Sequence, residues 1–123
     1  MPQISLGNDV KLQNGVVVAY REVSATTTLT STSGPNSGFD YMIGVDTDTN
    51  AVTVNLPTTS ENGMEAGRMY YIFDLTGNAG TKNITIDPNN ASAKISGEST
   101  IIINTAYSAV TIAYIKLNTW IIC

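Results

Sequence analysis

The feature that most constrains this chain is a succession of short β-branched runs separated by turn residues. No stretch of ten or more residues places apolar side chains at the three-and-four spacing of an amphipathic helix. A helix would have no stripe to bury, so the chain is expected to be all-β. Strands are predicted at Tyr41–Val45, Ala51–Leu56, Met69–Leu75, Asn83–Asp87, Lys94–Gly97, Thr100–Asn104, Ala109–Ile115 and Thr119–Cys123. "AVTVNLP" alternates strictly until Pro57 removes a ladder donor. Regular spacing of strands and turns predicts an antiparallel β-sandwich or a small, jelly-roll-like barrel.

Before these strands, "DVKLQNGVVVAYRE" sets Asn14-Gly15 between two apolar segments. That is the signal for a hairpin with positive φ at both turn positions, and Ile4–Arg21 is read as that hairpin. Ser24–Gly38 is polar apart from Leu29 and closes on a Gly-Pro-Asn-Ser-Gly cluster, so it reads as an extended arm or connector. The expected organisation is an N-terminal hairpin and arm over residues 1–38 and one β domain over 39–123. A chain of 123 residues is long enough for one real core.

"IIIN", "VTIAYI" and "WIIC" are apolar on both strand faces. One sheet face can be covered by the chain's own core; the other needs a second sheet or a neighbouring subunit, and oligomerisation is the expectation. Candidate interface residues in the N-terminal part are Ile4, Leu6, Val10, Leu12, Val16, Val18 and Leu29. In the β domain they are Ile101, Ile103, Tyr107, Tyr114 and Trp120.

Charge and chemistry narrow the function. Charged residues are 13% of the chain, about half the usual share. The net charge is −4 and the six cations are scattered, so nucleic acid is not an expected partner. No apolar run reaches membrane-spanning length, and no signal peptide is expected at Met1–Gly7. With no histidine and a single cysteine, Cys123, the chain lacks the common nucleophile–base systems, the usual zinc sites and any intrachain disulfide. The carboxylates Asp40, Asp46, Asp48, Asp74 and Asp87 show no spacing that separates an acid from a base, so no enzymatic activity is expected. No cofactor is expected either.

Three motifs have both a functional and a plainer reading. Asp46, Asp48 and Asn50 imitate the start of a calcium loop, but Ala51 and Pro57 stand where Gly and Glu are required. A turn joining Ile43–Val45 to Val52–Val54 as a hairpin is preferred. Gly77-Asn78-Ala79-Gly80 lacks the Lys-Ser/Thr of a phosphate cradle and is read as turn geometry. Tyr41, Tyr70, Tyr71, Tyr107, Tyr114 and Trp120 are suited to stacking on sugars, but are read first as core or interface. The sequons at Asn83 and Asn90 are read as chance matches.

From Tyr41 onward the ordered set "VTVNLP", "AGRMYYIFD", "GNAGTKNITID", "ISGE", "IIINTAY", "SAVTIAY" and "NTWII" resembles a β-rich domain of tailed-bacteriophage fibre, head-fibre and capsid decoration proteins. The chain departs from it at Lys116-Leu117-Asn118, where such sequences carry Asp-Gly before the last strand. The resemblance implies a homotrimeric virion structural protein made in the host cytoplasm and placed on the capsid surface. As a decoration or cement protein it would bind the major capsid protein and bridge capsomers. The alternative it implies is a head- or tail-fibre domain that binds host cell-surface glycans.

Overall fold

A computed structural model describes residue 15 and residues 17–31, 40–59 and 64–123. The described chain is all-β, with ten strands: β1 (Tyr20–Val23), β2 (Thr27–Thr28), β3 (Met42–Val45), β4 (Val52–Asn55), β5 (Met69–Asp74), β6 (Ile84–Asp87), β7 (Lys94–Ile95), β8 (Ile101–Ile103), β9 (Ala109–Lys116) and β10 (Thr119–Ile122). They form a six-stranded sheet, β1-β3-β5-β9-β10-β7, and a four-stranded sheet, β2-β4-β6-β8. Among the described residues no helix is long and apolar enough to cross a membrane.

The connectivity is a winding. From β1 to β6 each odd strand joins the six-stranded sheet and each even strand the four-stranded one, so every circuit adds one parallel strand to both. Parallel neighbours need a crossover connection, and here a strand of the opposite sheet serves as that crossover in place of a helix. Antiparallel strands close the stack: β9 runs against β5, β10 against β9, and β8 against β6.

Strand alternation explains why the winding holds together. Ile43, Val45, Ile72 and Ile112 point inward from the large sheet, and Val52, Val54, Ile84 and Ile86 point inward from the small one, joining a single buried cluster with Leu29, Leu56, Tyr70 and Trp120. In-register pairing stacks these residues directly, Ile43 beside Ile72 and Val52 beside Ile84. Burying each such side chain stabilises the fold by about 1.5–3 kcal/mol. The backbone ladder continues past the strands through Leu29 N to Asn55 O at 2.8 Å and Leu56 N to Asp87 O at 2.8 Å.

Several expectations need correction. Strand positions from Met42 onward agree with the sequence reading, but the sheets are mixed: of eight pairings among the described residues, five are parallel. The expected β3–β4 hairpin does not exist, because those strands lie in different sheets. The segment 46–51 connects a strand of one sheet to a strand of the other, and short alternating strands look alike whichever neighbour they pair with. Tyr20–Val23 and Thr27–Thr28, read from sequence as hairpin and arm, are edge strands of the two sheets, and Leu29 is buried in the core. Residues 4–14 and 16 of the expected hairpin lie outside the described residues; Gly15 has φ 80°, and residues 17–19 form no strand. The last hairpin does form without Gly, with Asn118 taking φ 57°.

Candidate interaction surface

The two sheets present opposite chemistry to their surroundings. On the outer face of the six-stranded sheet one row runs Tyr20–Met42–Tyr71–Thr111, a second Glu22–Gly44–Phe73–Ala109, and a third Met69–Ala113–Ile121. Glu22 is the one charged residue in these rows. The outer face of the four-stranded sheet carries Thr53–Thr85–Ile102 and Thr28–Asn55–Asp87, polar except for Ile102. Water solvates the second face through hydroxyls and amides, whereas these three rows of the first are mainly aromatic, thioether and aliphatic, with Glu22 and Thr111 among them and the polar pair Thr119–Lys94 at the far side of the same face.

The apolar face is organised around Gly44. Tyr20 and Phe73 stack with centroids 6.2 Å apart, and Tyr71 lies 5.6 Å from Phe73. The Tyr20 ring crosses the glycine, and only hydrogen at position 44 leaves room for it. Its phenol pKa is raised from 10.0, first by desolvation and then by the charge and hydrogen bond of Glu22. At one end the face continues into a cleft of about 450 Å³ lined by Val18, Ala19, Asp40, Tyr41, Gly67, Arg68 and Met69. Val17 beside it is 95% exposed. Asp40 is fixed there by Arg21 at 2.9 Å and by the backbone N–H of Thr30 at 2.8 Å.

The residues singled out from the sequence divide sharply. Leu29, Ile103, Tyr114 and Trp120 are buried in the protomer's own core, where no partner can reach them, so their reading as interface residues is corrected. Trp120 packs on Tyr70 at 6.1 Å and on Tyr114 at 5.5 Å. Ile101 is half-buried against that core, while Val18 and Tyr107 are exposed. Ile4, Leu6, Val10, Leu12 and Val16 lie outside the described residues. Sequence reasoning missed Tyr20, Met42, Phe73 and Ile121. The available signal was in "MYYIFD", where Tyr71 and Phe73 occupy the parity opposite the buried Tyr70 and Ile72.

The calcium-like loop is held by its own polar groups. Asp46 Oδ1 accepts the N–H of Asp48 at 2.8 Å, Asn78 donates its amide to Asp48, and Lys82 Nζ donates to the Asp48 carbonyl at 2.6 Å. Among the described residues no three carboxylate, histidine or cysteine side chains converge as a metal site. The loop reading is an Asx turn braced by a cation.

Nearby, Asp74 is 1% exposed and collects three backbone donors. Gly77 N reaches Oδ1 at 3.2 Å, and Ala79 N and Tyr107 N reach Oδ2 at 3.2 and 2.9 Å. One buried carboxylate thus ties the β5–β6 turn to the β8–β9 loop. A polar groove of about 550 Å³ beside the far end of β6 is lined by Asp87, Asn89, Asn90, Lys94, Ser99 and Thr100, with Lys94 Nζ donating to Ser99 Oγ at 3.1 Å. No family model matches the chain, and comparison with curated proteins gives no match.

Proposed function

We propose that this protein is a non-catalytic virion structural protein that assembles as a homotrimer, decorates the outer surface of a phage capsid and stabilises it by bridging capsomers. The observation that carries the reading is the difference between the two outer faces. The Tyr20–Phe73–Tyr71 face needs a protein neighbour, and the Thr/Asn/Asp face of the smaller sheet is suited to water. In this reading the two sheets pack as a sandwich, with one outer face turned to neighbouring subunits and the major capsid protein. The ordered motifs from "VTVNLP" to "NTWII" resemble phage decoration and fibre domains and supply the virion context.

A stable protein interface covers roughly 800 Å² on each partner. A six-stranded sheet face with its adjoining cleft is an area of that order. Capsid stabilisation then follows by mass action, since a trimer bound only to the assembled shell shifts the equilibrium against disassembly. The test is to add purified protein to capsids that lack it. Saturable binding and a raised temperature of capsid disruption are expected, both lost with Phe73→Lys; capsids that neither bind the protein nor gain stability would overturn the reading.

A further inference from the structure

Among the described residues, β8 is the one edge strand without the usual means of closing an edge. The six-stranded sheet ends on β1, which carries Arg21 and Glu22, and on β7, which is two residues long. The four-stranded sheet ends on β2, again two residues, and on β8. β8 is Ile101-Ile102-Ile103, with no charge and no proline, and its pairing to β6 runs without a bulge.

The ladder shows which backbone groups of β8 face outward. Val52 N donates to Asn83 O and Leu56 N to Asp87 O, so residues 83, 85 and 87 turn their backbone groups to β4. Ile84 and Ile86 therefore turn theirs to β8, where they lie opposite Ile103 and Ile101. Alternation then points the N–H and C=O of Ile102 away from β6, on the side where the sheet has no further strand. The Ile102 side chain is 52% exposed and ends an outer row whose other members are Thr53 and Thr85.

Outward backbone groups on an apolar edge match another polypeptide backbone, which offers N–H and C=O at the same repeat. A second folded copy does not fit there. Beyond β5 the large sheet has three strands, β9, β10 and β7, whereas beyond β6 the small sheet has one. A two-fold mate joined at β8 would drive its own large sheet into the overhanging β10 and β7. A single extended segment brings no second layer and takes the place of a fifth strand in the small sheet. Ile102 calls for an apolar or β-branched neighbour on the outer face. The groove at the Ser99–Thr100 end holds one ammonium, Lys94, and one carboxylate, Asp87, so the edge favours neither sign of charge.

We propose that the free edge of β8 is a strand-addition site that takes a single extended, uncharged and β-branched segment of another polypeptide. The site is separate from the aromatic face of the large sheet and does not rest on the capsid reading.

The probe is the peptide STIIINTA, the sequence of residues 99–106, carrying a Lys-Lys tail for solubility. Laid antiparallel on β8, it sets Ile opposite Ile and Thr opposite Asn. It is titrated into the isotopically labelled full-length protein and followed by amide shifts and hydrogen exchange. Shifts are expected in residues 99–105 and 84–87, with exchange of the Ile102 amide slowed roughly 10-fold or more. The same peptide N-methylated at its central isoleucine keeps every side chain but loses the central donor, and it should not bind. Ile102→Lys should weaken the parent peptide roughly 10-fold at an unchanged melting temperature. The inference is overturned if residues 99–105 do not shift at millimolar peptide, or if Ile102→Lys binds as the parent does. Equal binding of the N-methylated peptide would also overturn it, by showing apolar adhesion alone. So would an Ile102 amide protected in the free protein as strongly as those of Ile101 and Ile103.

Discussion

Gly44 forms the floor on which the Tyr20 ring lies, and a β-carbon at position 44 would also come within 3.1 Å of Phe73 Cζ. This one absence of a side chain lets three aromatics from β1 and β5 form a flat outward patch, so the proposed packing surface depends on it. Gly44→Ala is expected to displace Tyr20 and reduce self-association while leaving the inner core, where Ile43 and Val45 face the other way, in place. Sedimentation of the variant beside its thermal melt separates the two effects.

Asp74 is the second prediction. Replacing its carboxylate with alanine strands three backbone donors in a site that is 1% exposed, and each lost bond to a charged acceptor is worth about 1.5–3 kcal/mol, not additively. Asp74→Ala should cost roughly 3 kcal/mol in urea unfolding. Amide exchange should rise first in residues 77–79 and 107. A loss below about 0.5 kcal/mol would contradict the role given to this carboxylate.

Trp120 is fully buried, yet its indole Nε1 finds no hydrogen-bond partner. Trp120→Ala is expected to cost about 3–5 kcal/mol by leaving a cavity between Tyr70 and Tyr114. Trp120→Phe should cost markedly less, because it keeps the ring and removes the orphaned donor. Equal losses from urea melts of the two variants would show that the N–H is satisfied.

The raised phenol of Tyr20 gives a pH prediction. The folded protein holds this proton more tightly than the unfolded chain, so the associated stability is complete below the ordinary value of 10.0 and is lost as pH rises through the folded pKa. The difference in phenolate absorbance between the parent and Tyr20→Phe isolates the step of this tyrosine, which should lie above 10.0. Glu22→Gln should lower that step, since it removes the neighbouring negative charge.

Legibility in the sequence followed what each signal encodes. The alternation in "AVTVNLP" and "MYYIFD" gave β4 and β5 nearly to the residue, because side-chain parity is local. Pairing partners are not local. Asp46–Ala51 looks like a hairpin turn whether the chain returns beside β3 or arches to the other sheet, so the parallel winding was invisible. The same limit explains Leu29 and Trp120: apolarity marks a residue for burial without saying whether its own core or a neighbour provides it. The aromatic face was half legible, since its residues were plain but its flatness required Gly44 to sit between Tyr20 and Phe73, which only the register of β1, β3 and β5 brings together.

Cys123 offers an independent reporter of that face. Its N–H pairs with Thr111 O at 2.9 Å, which continues the β9–β10 ladder and gives it the outward parity of Ile121. The thiol is exposed in the protomer. Maleimide labelling should be rapid in a monomeric Phe73→Lys variant and slowed when the face is covered; equal rates would place Cys123 outside the packed area.

The most direct measurement is the mass of the purified protein in solution by light scattering, taken in parallel with that of Phe73→Lys. A mass near three protomers for the parent, falling to one protomer in a variant with unchanged melting of the core, is the predicted result. A folded parent that stays at one protomer across concentration, or a variant that remains trimeric with lysine in the centre of the face, would contradict the claim that this sheet face is where the protein packs against its neighbours.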